Sequence, residues 1–300
     1  MGAPLPPLAQ RLGVRVPIIA APMFIISNPA MIIAAGKAGM MGAMPSLNAR
    51  TPEDFRAALE EIRRHLDGEP FAINIPLKLA SPDRVQHDIE ACLEFEVPVI
   101  ITSLGGPAEV VRRAHEKNLL VFHDVISLKH GRKAVDAGVD AIIAVSSGAG
   151  GHAGTIAQQV LVPWLRRELK VPIIAAGGIT GGRQLASVMA LGAEMAYIGT
   201  RFIASTECAA SDEYKEMVVK CSPEDIVYTD KVSGIHGNYI RHTVPGMAPE
   251  GEVKEGAKKW KDIWGAGQGV GLFDAVKPIA EIVEDIVREY RETVAALPEI

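Results

Sequence analysis

VPIIAAGGI (171–179) and MAYIGTRFI (195–203) are two short apolar runs, each containing glycine and each preceded by a segment with helical spacing. The fold follows from counting the other runs of this kind. VPIIAAPM (16–23), MMGAMPS (40–46), FAINIPL (71–77), VPVIITSL (97–104), LLVFHDV (119–125) and AIIAVSS (141–147) bring the total to eight. Uninterrupted Val/Ile runs, rather than alternating ones, are what parallel strands buried on both faces by helices require. The intervening segments supply those helices. In TPEDFRAALEEIRRHL (51–66), Thr51 caps, Pro52 suits the first turn and the apolar residues fall on one face. Eight βα units of roughly 20–30 residues predict an α/β fold closed into a (β/α)8 TIM barrel, with a doubly wound open sheet as the alternative.

A chain of 300 residues, 48% hydrophobic, fits one such barrel as a single domain over 1–300. Past the eighth run the pattern breaks, and residues 206–265 read as an inserted lobe or active-site cover. The segment 278–297 then returns to helical spacing through Ile279, Ile282, Ile286 and Tyr290. A net charge of -5 with interspersed signs gives no basic face for nucleic acid or an anionic membrane. No run reaches the ~18 apolar residues of a membrane span, and the expected location is cytoplasmic. Cys92, Cys208 and Cys221 lack CxxC spacing and read as buried, inert thiols.

Reactive groups of a barrel collect at the carboxyl ends of its strands. There the sequence places Ala21, Pro22 and Met23, then Asn74, His123 and Asp124, then SSGAGGHAGT, AAGGITGG and IGTRF. Gly177, Gly178, Gly199 and Thr200 follow the seventh and eighth strands, where barrels hold phosphate on backbone N–H groups. Each glycine alone also suits a plain tight turn; two such sites at adjacent strand ends favour phosphate. Gly148, Gly150 and Gly154 are spaced GxGxxxG, and the next strand ends in AAGGI without an acidic residue, so a Rossmann fingerprint is rejected. His152, between Gly151 and Ala153, reads as an exposed imidazole suited to acid–base work. The remaining histidines show no metal-ligand pattern, and no metal is expected. Gln268 is the one side chain of GAGQGVGLF (265–273) able to hydrogen-bond a ligand.

APM (21–23), INIP (73–76), GGHAGT (150–155), AAGGI (175–179), GTRF (199–202) and WGAGQGVG (264–271) together resemble the nitronate monooxygenase, or 2-nitropropane dioxygenase, family over most of the chain. The resemblance implies FMN across the barrel mouth, its phosphate near Gly178, Gly199 and Thr200. Pro22, Met23, Asn74, Gly151 and Gln268 would lie around the ring and ribityl chain, and Ala21, Gly150 and Gly177 complete the expected cofactor-binding set. It also implies that His152 takes the α-proton of a neutral nitroalkane, with O2 completing oxidation to a carbonyl compound and nitrite. The implied partners are a small-molecule substrate and O2; a homodimer is left open. An NAD(P)H-dependent FMN reductase acting on an enoyl thioester or quinone is the alternative. One departure stands out: Asp124 follows His123 where related proteins often carry Lys, with Lys129 the nearest replacement.

Overall fold

The computed structural model describes residues 4–248 and 261–298. Strands are numbered in chain order: β1 Ile18–Ala20, β2 Met41–Pro45, β3 Phe71–Pro76, β4 Val99–Ser103, β5 Leu120–Val125, β6 Ala141–Val145, β7 Gly151–His152, β8 Ile173–Ala176 and β9 Met195–Ile198. β7 stands apart, and the other eight close into a parallel barrel in the order β1-β2-β3-β4-β5-β6-β8-β9, with β9 pairing back onto β1. All eight apolar runs therefore become barrel strands. The last one ends early, because Thr200–Ile203 turns into a short helix after Gly199.

Alternation along each strand divides the core in two. Ile19, Met41, Ala43, Ala72, Ile101, Phe122, Ile143 and Ile174 fill the lumen. Ile18, Ile73, Ile100, Val121, Ile142 and Ile173 face the surrounding helices. The helix Pro7–Leu12 plugs the amino-terminal end of the lumen with Leu8 and Leu12, and Leu8 N–H donates to Glu194 Oε2 at 2.8 Å.

The helix Pro52–His65 starts at the expected cap, Thr51 Oγ1 accepting from Asp54 N–H at 3.0 Å in a full capping box. The terminal helix Ile279–Ala295 buries Ile279, Ile282, Val283 and Ile286. It lies against the helix Gly182–Ala190, where a Cβ on Gly182 would run into Tyr290 N. No helix among the described residues is long and apolar enough to cross a membrane.

The stretch expected as a lobe contains the helix Asp212–Lys220 and two strands, β10 Ile226–Thr229 and β11 Gly237–Ile240. Residues 249–260 of that stretch lie outside the described residues. β10 pairs with β11, and β11 pairs antiparallel with β7, matching Gly237 to His152 and Asn238 to Gly151. The late segment is therefore tied by backbone hydrogen bonds to the loop carrying the histidine.

Candidate active site

A cavity of about 1110 Å³ opens at the carboxyl ends of the barrel strands. It exceeds the few hundred to 1,000 Å³ typical of a single drug-sized ligand, leaving room for a cofactor and a substrate together. Ala21, Pro22 and Met23 border it after β1, and Asn74 from β3. Gly150, Gly151 and His152 border it after β6, Gly177 and Gly178 after β8, and Gly199 and Thr200 after β9. Eleven side chains or glycines far apart in sequence are thus brought to one wall.

Gln268 is placed differently. It is solvent-exposed, is not among the residues bordering the cavity, and its backbone N–H is spent on Gly148 O at 3.0 Å. Its neighbours Gly265 and Gly269 border the cavity instead. Lys129 is likewise exposed and outside the lining; Lys78 and Lys133 are the lysines that reach it.

Three glycine-bearing loops meet edge to edge, which explains their composition. Gly148 O accepts from Gly178 N–H at 3.2 Å as well as from Gln268 N–H, while Gly267 N–H donates to Thr200 Oγ1 at 2.9 Å. A Cβ on Gly150 would lie 2.7 Å from Gly267 N, and one on Gly177 would lie 2.7 Å from Ala149 N. Gly177 and Gly178 also hold φ of 111° and 67°, the left-handed region that glycine enters without a side-chain clash. A Cβ on Gly178 would meet nothing within 4 Å, so that glycine opens on free space.

Thr180, on the same loop, borders the cavity, and its Oγ1 is buried without a hydrogen-bond partner. An orphaned hydroxyl donor beside two glycine turns is the donor set a phosphate monoester needs, so the residues present fit a flavin mononucleotide. Thr180 was not singled out from the sequence, because a lone Thr after GGI carries no periodic or spacing signal.

His152 is half-buried rather than exposed. Ser233, from the loop before β11, lies with Oγ 3.0 Å from His152 Nε2 and 3.2 Å from Ile235 O, and so orients the ring. Burial pulls the imidazole's pKa below its ordinary value, favouring the neutral form at pH 7. Asn238 holds the histidine loop from behind, its Nδ2 donating to Ser147 O and Ala149 O, each at 2.7 Å.

His123 also reaches the cavity, with Nδ1 2.7 Å from Thr102 Oγ1, and burial lowers its pKa to about 4. It is a neutral, structurally tied imidazole. The three cysteines are free and buried, and burial raises each thiol's pKa, to about 11 for Cys208 and Cys221.

Comparison with known proteins places these features in context. Residues 80–254, more than half of the chain, match the family described as nitronate monooxygenase. The structure of FabK from Thermotoga maritima superposes with a TM-score of 0.86 at 33% sequence identity, covering 98% of each chain. A nitronate monooxygenase of Paraburkholderia phytofirmans is 26% identical over 97% of this chain and 96% of its own length. A (3aS,4S,5R,7aS)-5-hydroxy-7a-methyl-1-oxo-octahydro-1H-indene-4-carboxyl-CoA dehydrogenase of Rhodococcus jostii is 27% identical over 76% of this chain. The chain spans 63% of that dehydrogenase's length, and 66% of its Mycobacterium tuberculosis counterpart.

Proposed function

The chain belongs to the nitronate monooxygenase family of flavin-dependent oxidoreductases, and from that premise we propose that it binds FMN and oxidises nitroalkanes and alkyl nitronates with O2. The products are a carbonyl compound and nitrite. Gly177, Gly178, Gly199 and Thr200, with the Thr180 hydroxyl, hold the phosphate. Ala21, Pro22, Met23, Asn74, Gly150 and Gly151 form the wall against the ring system. When bound, the flavin supplies a two-electron acceptor and a route to oxygen. The protein orients the substrate, excludes water and moves one proton. His152 removes that proton from the carbon beside a neutral nitro group; a nitronate has already lost it.

The observation that carries this reading is the state of His152. A half-buried imidazole with a lowered pKa, oriented by Ser233 and bordering the cavity, is ready to accept a proton rather than to give one.

A second reading has its own support. Lys78 and Lys133 border the cavity with no ion pair among the described residues, beside the exposed apolar side chains of Phe24, Leu79 and Ile126. Cations next to an apolar rim suit an anionic substrate with an apolar body, such as an enoyl thioester reduced with NAD(P)H. The two readings separate in one pair of measurements on flavin-loaded protein. Oxygen uptake and nitrite release with propionate 3-nitronate or 2-nitropropane are expected, together with slow anaerobic bleaching by NADH or NADPH. Rapid bleaching by a nicotinamide without nitronate turnover would replace the first reading by the second.

A further inference from the structure

Among the described residues Asp124 is the one carboxylate bordering the cavity, and nothing above uses it. On β5, Leu120 and Phe122 point into the lumen, and alternation sends Asp124 the same way, to the top of the lumen beneath the barrel mouth. On β9, Met195 faces the lumen and Tyr197 follows it. β6 and β8 separate β5 from β9 in the barrel, so the carboxyl and the phenol approach each other across the lumen rather than along a strand pair. Burial pushes the Tyr197 phenol's pKa up, and the charge of Asp124 pushes it the same way.

Asp124 Oδ1 and Tyr197 Oη are both sealed from solvent without a hydrogen-bond partner. Asp124 as a whole is part-buried and borders the cavity. The remaining titratable groups around the cavity are His123 beside it on β5, Lys78 after β3, His130 and Lys133 on the helix Leu128–Asp136, His152 and His236 on the small-sheet side, and the Tyr214 phenol, which donates to Gly265 O. None of them makes an ion pair with Asp124 among the described residues. Burial alone raises the Asp124 pKa, to about 7.

We propose that Asp124, backed by Tyr197, is the proton-holding group beneath the barrel mouth, binding a proton when a bound flavin would be reduced and releasing it when the flavin would be reoxidised. The charge balance is simple. Two-electron reduction of a bound neutral ring, with the uptake of one proton, would leave the ring with one negative charge while the substrate is oxidised by two electrons. An ionised Asp124 then takes one proton from solvent, so the floor beneath the ring becomes neutral as the ring becomes anionic. Reoxidation reverses both changes. A lysine at this position provides a fixed positive charge; Asp124 provides a removable proton and makes the flavin's reduction pH-dependent.

This inference rests on flavin binding, not on the identity of the substrate. It is tested on the holoenzyme by measuring the flavin midpoint potential from pH 5.5 to 9. The ring takes up one proton per two electrons, and Asp124 adds a second once it is ionised in the oxidised protein. The slope of potential against pH should therefore steepen about twofold above about pH 7 in the natural protein and stay shallow throughout in Asp124→Asn. A measurement that needs no variant accompanies it: at pH 8, reduction of the natural holoenzyme should produce an infrared band of a protonated carboxylic acid. A single unbroken slope with no such band would overturn the proposal even if the protein oxidises nitroalkanes. A steepening that persists in Asp124→Asn would assign the proton elsewhere and overturn it as well. Failure of the natural protein to take up flavin would remove this inference and the cofactor together.

Discussion

On the proposed mechanism, His152 matters to catalysis only while the substrate still carries a proton. His152→Ala is expected to retain FMN, read from the visible spectrum of the purified protein. It should lose roughly 10²–10⁴-fold in kcat/KM on neutral nitroalkanes, the usual size of a general-base contribution, and much less on preformed nitronates. Equal losses on both substrates would show that the imidazole positions the site instead. The lowered pKa fixes the direction of the pH profile. A base acts when deprotonated, so turnover of neutral nitroalkanes should persist below the ordinary histidine value near 6.5 and fall only as pH drops through the lower, folded value. A neighbouring pair of glycines separates folding from binding. Gly177→Ala forces a side chain into φ 111° and against Ala149 N, and is expected to cost about 1–3 kcal/mol in denaturant unfolding. Gly178→Ala meets no atom within 4 Å, so its stability loss should be smaller; retained FMN in that variant would show that phosphate does not lie against Gly178.

Among the elements, the small sheet of β7, β10 and β11 couples the late segment to the histidine. Ser233→Ala removes the hydroxyl 3.0 Å from Nε2 and should lower kcat on neutral nitroalkanes by less than His152→Ala, with FMN content unchanged. An undisturbed kcat would show that ring orientation comes from other contacts. Loss of Asn238 is a different matter, because its amide satisfies two carbonyls of the histidine loop. Asn238→Ala should cost a few kcal/mol of stability, since buried acceptors left unpaired each cost about 1–3 kcal/mol. These couplings explain what the sequence conceals. β10 and β11 are four residues each, and β11 finds its partner, β7, more than eighty residues earlier, so no local period marks the sheet. GTRF has the apolar look of a continuing strand. Its helical turn is set by Arg201, which is buried over the Phe273 ring at 4.7 Å and bonded to the carbonyls of Ala204 and Ala275. Gln268 looks the most ligand-ready residue of its loop, yet the loop's orientation is decided by backbone bonds to Gly148 that side-chain identity does not report.

At the scale of the molecule, the barrel is legible because closure requires every strand to be covered on both faces, and eight apolar runs, most of them rich in Val and Ile, record that burial directly. Its electrostatics are not legible in the same way. His123 and Asp124 are adjacent in sequence, but strand alternation turns His123 to Thr102 and Asp124 into the lumen, and burial disfavours the charge of each separately. Their effects on stability oppose each other. His123 has a folded pKa of about 4 against an unfolded value near 6.5, so it contributes stability above pH 6.5 that is lost as pH falls toward 4. Asp124 has a folded pKa of about 7 against an unfolded value near 3.9, so its contribution is complete below that unfolded value and is lost as pH rises through 7. Between roughly pH 4 and 6.5 the unfolded chain binds one proton more at His123 and one fewer at Asp124, and the two slopes cancel. Asp124→Asn removes only the second. Urea unfolding of the natural protein and the variant, at equal flavin load and at pH 5 and 6.5, should show the variant gaining stability with pH more steeply than its parent. Parallel curves would mean that Asp124 is already ionised in the folded protein at pH 5, and the lumen carboxyl would then be a fixed charge rather than a proton carrier.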